Sequence, residues 1–91
     1  MAIIDDAEVD KAIAPTPWKR EGKEIVRVIE RADFAEALAF VNEVGRLAKE
    51  ADHHPDIDIR WNTVTLRLST HSAGGITEAD LALAQSIDEF A

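Results

Sequence analysis

Asp56-Ile57-Asp58-Ile59-Arg60-Trp61-Asn62-Thr63-Val64-Thr65-Leu66-Arg67-Leu68 is the stretch on which the fold turns. Ile57, Ile59 and Trp61 alternate with polar residues, and so do Val64, Leu66 and Leu68. Each run therefore reads as a strand with one apolar face. A two-residue Asn62-Thr63 turn joins them as a hairpin and puts both apolar sets on the same side. Trp61 then belongs to the apolar side of its strand and packs into the core, as does Trp18.

Upstream, Asp33 followed by Glu36 makes a capping-box-like helix start, and Phe34, Ala37, Leu38, Val41, Val44 and Leu47 recur at three- and four-residue spacing. Gly45 costs this helix about 1 kcal/mol relative to alanine, which suggests a close approach to the sheet or another backbone there. Before it, Glu21-Gly22-Lys23 separates two β-prone runs, the second being Glu24 to Ile29, so a hairpin turns near Gly22. A short first helix runs from Asp5 to about Ala14, with Val9, Ala12 and Ile13 at helical spacing, and Pro15 and Pro17 stop it. Downstream, Ser72-Ala73-Gly74-Gly75 is loop, and Thr77 with Asp80 starts a last helix carrying Leu81, Ala84 and Ile87. The order α-β-β-α-β-β-α predicts an α+β fold: a four-stranded antiparallel sheet with three helices packed on one face. It buries the apolar sets just named and leaves the charged positions wet.

With 91 residues the chain has room for one hydrophobic core, so residues 1–91 are expected to form a single domain. Absence of cysteine excludes disulfides, a thiolate nucleophile and Cys-ligated metal. The formal charge is −8, and the basic residues are dispersed among acidic neighbours. Direct binding to nucleic acid or to an anionic membrane surface is therefore not expected. Met1-Ala2-Ile3-Ile4-Asp5-Asp6 shows neither a basic leader nor an apolar run, which points to the cytoplasm.

All three histidines, His53, His54 and His71, fall in loops flanking the Ile57–Leu68 hairpin. If its strands pair, the residues before the first and after the second meet at one edge. Converging imidazoles suit proton transfer near neutral pH. Asp52 and Asp80 could orient one of them, and Pro55 restricts the backbone of His54. Two other readings stand beside this one. His53-His54-Pro55 could simply end a helix whose dipole favours imidazolium, and three histidines near a carboxylate could ligate zinc, although adjacent His53 and His54 diverge awkwardly for chelation.

Lys49, three residues, His53-His54-Pro55, five residues, Trp61, nine residues, His71, eight residues and Asp80 resemble the signature of the pterin-4a-carbinolamine dehydratases. The Thr65-to-Thr70 segment ending on His71, and Asp80-Leu81-Ala82-Leu83-Ala84, are similar to that family as well. The likeness runs from about Trp18 to the C-terminus.

The resemblance implies a hydro-lyase converting 4a-hydroxytetrahydropterin to quinonoid dihydropterin and water, with no cofactor of its own, in recycling the tetrahydropterin of aromatic amino acid hydroxylases. It implies His53 and His71 as acid and base, and His54 in binding and orientation. Asp52, Ser69, Thr70 and Ser72 would hold the pterin through side-chain or backbone hydrogen bonds, with Asp80 orienting a histidine from behind. It also implies a homodimer or homotetramer whose sheets join across subunits, with a functional link to a hydroxylase. The alternatives carried alongside are a dehydratase-like interaction protein, either a transcription coactivator or an assembly factor, and a small His-ligated metal hydrolase.

Overall fold

The computed structural model describes residues 2–91. Helix α1 (Asp6–Ile13) is followed by β1 (Lys19–Glu21), β2 (Glu24–Glu30), α2 (Phe34–Ala51), β3 (Asp56–Arg60), β4 (Thr63–Leu68) and α3 (Glu78–Phe90), the order the sequence predicts. The strands form one antiparallel sheet in the order β1-β2-β4-β3.

Capping sets the helix starts. Asp5 accepts from the Glu8 amide and Asp33 from the Glu36 amide, each at 2.9 Å, a contribution of about 1 kcal/mol apiece. Gly22 turns the first hairpin at φ 64°, a left-handed conformation that glycine adopts without Cβ strain.

Register decides which face is buried. Ile25 lies opposite Leu68, Ile29 opposite Val64 and Ile57 opposite Leu66, so these side chains share the face on which the helices pack. Val9, Ile13, Trp18, Phe40, Val44, Leu83 and Ile87 close that face into one core. Phe40 also meets Phe90 at 5.4 Å between ring centroids, joining α2 to α3. No helix among the described residues is long and apolar enough to cross a membrane.

Several expectations are corrected. The β3–β4 turn is Trp61-Asn62, not Asn62-Thr63: Arg60 pairs with Thr63, and Ile59 stands opposite Val64. The apolar faces survive because this register differs from the expected one by two residues, an even step. Trp61, at φ 53° and 67% exposed, is therefore a turn residue outside the core. A two-residue hairpin loop needs positive φ to match the strand twist, and here the first loop position takes it despite its bulky side chain.

Phe34, Leu38 and Ile57 are exposed as well. The face of α2 that meets the core runs through Ala37, Phe40, Val44 and Ala48, and Phe34 and Leu38 lie about a fifth and about a third of a turn from its centre. Gly45 makes no close approach among the described residues: outside its own helix turn, a Cβ there would meet no atom within 4 Å. The charged positions are not all wet, since Asp80 is fully buried and the Arg27 side chain is only 15% exposed.

Candidate active site

The α2–β3 loop and the segment after β4 meet because Asp56 pairs with Arg67, which puts the residues before β3 beside those after Leu68. The end of α2 then aims the first two histidines. Asp52 takes a left-handed conformation (φ 50°, ψ 42°). Its amide donates to the Lys49 carbonyl at 3.2 Å, while the His53 amide donates to that of Ala48 at 3.1 Å. These two bonds satisfy the last carbonyls of the helix in the Schellman manner and fix where His53 leaves it.

His71 is placed by a tight loop. The Thr70 amide donates to the Gly75 carbonyl at 2.8 Å, and the amides of Ala73 and Gly74 donate to the Thr70 carbonyl at 3.0 and 2.9 Å. Gly74 sits at φ 79°, where a side chain would be strained.

Asp52, His53, His54, Ser69, Thr70, His71 and Ser72 line one open depression of about 280 Å³. All seven positions singled out for substrate from the sequence thus border a common space. Pro55 lies half-buried outside that lining, and Asp80 lies beneath it.

The rings differ in their support. His53 Nε2 is 2.5 Å from Asp80 Oδ1, with the His53 side chain 15% exposed and Asp80 fully buried. The rings of His54 and His71 are exposed and have no hydrogen-bond partner among the described residues. Asp80 Oδ2 accepts from Thr70 Oγ1 at 2.8 Å and from the Thr77 amide at 2.9 Å. The Thr77 side chain in turn caps the Asp80 amide, completing the box that starts α3. The sequence marked Thr77 and Asp80 as a helix start; that the same carboxylate also reaches His53 is a tertiary fact that local spacing does not encode.

The arrangement can hold one imidazole against a buried carboxylate and present two more to a ligand above it. Among the described residues no group of three or more His, Cys, Asp or Glu side chains is placed to hold a metal ion.

Residues 2–90 match the family model for pterin 4 alpha carbinolamine dehydratase. A protein of Thermomicrobium roseum is 52% identical, with 100% of this chain and 99% of that protein aligned. One of Nocardia farcinica is 49% identical, over 98% of this chain and 95% of its own length. The names of both place them among the pterin-4-alpha-carbinolamine dehydratases.

Among solved structures, a transcriptional coactivator/pterin dehydratase from Brucella melitensis superposes with a TM-score of 0.92 at 28% identity, over 99% of each chain. A pterin dehydratase-like protein identified as a RuBisCO assembly factor in the alpha-carboxysome gives 0.68 at 25% identity, over 81% of this chain and 88% of its own. With the family model and close relatives aligned along nearly the whole chain, this protein belongs to the pterin 4 alpha carbinolamine dehydratase family.

Proposed function

We propose that the chain dehydrates a 4a-hydroxytetrahydropterin to quinonoid dihydropterin and water, working in the cytosol to recycle the cofactor of an aromatic amino acid hydroxylase. The observation that carries this reading is the convergence of His53, His54 and His71 on one depression, with His53 braced by Asp80.

The reaction asks for two proton movements. A proton goes to the hydroxyl leaving C4a, the C–O bond breaks, and the proton on N5 departs as its bonding pair forms the N5–C4a double bond. Imidazoles supply both near neutral pH without a metal. His53 and His71 take the acid and base roles, His54 binds and orients the ring, and Asp52, Ser69 and Ser72 contribute hydrogen bonds at the rim.

The test follows the 4a-hydroxypterin absorbance as it decays with and without the protein, in the presence of a chelator. Decay that the protein accelerates supports the reading. A rate equal to the uncatalysed one defeats it and leaves the interaction-protein alternative.

A further inference from the structure

We infer that Thr70 is a positioning residue that steadies His53 through Asp80. The activity arm of its test rests on the dehydratase reading above; the structural arm does not.

Thr70 borders the depression, yet it is only 7% exposed and its polar groups are all engaged within the protein. Its amide donates to the Gly75 carbonyl, and its own carbonyl accepts from the amides of Ala73 and Gly74. The hydroxyl donates to Asp80 Oδ2 at 2.8 Å and lies 2.7 Å from Thr77 Oγ1. A threonine hydroxyl has one proton. With that proton committed to Asp80, the Thr77 hydroxyl is the donor in the pair, and the Thr70 hydroxyl has no proton left to donate to a ligand.

The consequence passes to His53. Asp80 Oδ2 accepts two hydrogen bonds, from the Thr70 hydroxyl and the Thr77 amide, so this oxygen serves only as an acceptor. With Oδ1 as the acceptor from His53 Nε2, the ring is the Nε2–H tautomer and Nδ1 is the nitrogen free to exchange a proton. Thr70 thus couples the end of β4 to the first turn of α3 and holds the carboxylate that orients the ring.

The experiment compares Thr70→Val and Thr70→Ser with the parent chain, using Thr70→Ala if valine does not fold. Two readouts are taken: ring ¹⁵N signals of His53 in the ligand-free protein, and kcat and KM for dehydration. The parent is expected to show a single Nε2–H tautomer. Thr70→Val loses it and lowers kcat about tenfold or more with KM within about twofold, because ground-state binding is untouched. Thr70→Ser restores both.

A raised KM with kcat and the His53 signals unchanged would make Thr70 a substrate ligand and overturn the inference, as would an unaltered tautomer in both Thr70→Val and Thr70→Ala. A parent chain without dehydratase activity, whose His53 tautomer is nevertheless lost in Thr70→Val and regained in Thr70→Ser, defeats the functional reading and upholds this one.

Discussion

Trp18 donates its indole N–H to Asp88 Oδ1 across 2.8 Å, joining positions 70 residues apart in the chain. Arg27 Nη1 donates to the same oxygen at 2.5 Å, so one half-buried carboxylate ties the start of the sheet to the end of α3. Removing it strands a core indole N–H and a mostly buried guanidinium whose Nε already lacks a partner among the described residues. Asp88→Ala is expected to cost about 2–3 kcal/mol, read as a lower urea midpoint. A change below about 0.5 kcal/mol, the usual scale of an exposed surface substitution, would show that water replaces the carboxylate.

The proposed acid and base roles predict that His53→Ala and His71→Ala each reduce turnover by roughly 10²-fold or more, the scale of losing a positioned proton-transfer group. Far-UV circular dichroism should stay that of the parent chain. Near-parental rates in both variants would remove these two residues from the chemistry.

Asp52 separates backbone from side-chain effects at the same site. Its left-handed φ of 50° costs an L-residue with a Cβ about 1–2 kcal/mol that glycine avoids, and its side chain makes no hydrogen bond or ion pair with the described residues. Asp52→Gly should leave stability equal or higher, and Asp52→Val should lower it, because a β-branched side chain is tolerated less well at positive φ than aspartate, both measured by urea unfolding. Equal losses in the two variants would mean that the carboxylate, not the backbone, holds the helix end.

The sequence was most legible where local rules and tertiary structure agree. Asp33 and Thr77 start helices because their side chains cap them, and Gly22 turns a hairpin because only glycine takes that φ freely. Trp61 misled because its apolar character continues the Ile57, Ile59 alternation, while Asn62, a common turn residue, drew the turn one position too far. Phe34 and Leu38 share helical spacing with true core residues, and only packing reveals which stripe of α2 meets the sheet. The histidine cluster was readable as a loop coincidence around one hairpin. The Thr70–Asp80–His53 chain was not, since it needs the end of β4, the start of α3 and the end of α2 to meet in space.

Acid should loosen the docking of α1. Arg20 on β1 grips Asp10 through Nε at 2.7 Å and Nη2 at 3.1 Å, and this hydrogen bonding holds the Asp10 carboxyl below its ordinary range. A carboxyl depressed in the folded state adds stability that is complete above the unfolded value, about 3.9, and disappears as pH falls through the folded one. Asp10→Asn should therefore be less stable than the parent at pH 7, with the difference shrinking on acidification and at high salt. A stability gap independent of pH would place the effect elsewhere than in this ion pair.

We propose that the chain assembles at least as a homodimer through the free edge of β3. That edge carries unpaired backbone groups, and a small domain has little else to cover them. Ile57 on the strand is 39% exposed, and the strand reads Asp56-Ile57-Asp58-Ile59-Arg60. A two-fold axis centred on Asp58 would set Ile57 opposite Ile59 of the partner subunit and Asp56 opposite Arg60 of the partner subunit, one apolar and one opposite-charge match per half of the interface, which together outweigh the like-charge pair that Asp58 makes with its own copy on the axis. The charge of −8 opposes association, but beyond about 8 Å physiological salt screens it. Light scattering at micromolar concentration should return at least twice the chain mass, and Ile57→Lys, which puts an ammonium on the pairing edge, should return the monomer. A monomer mass for the parent chain, or a dimer indifferent to Ile57→Lys, would rule out this edge as the interface.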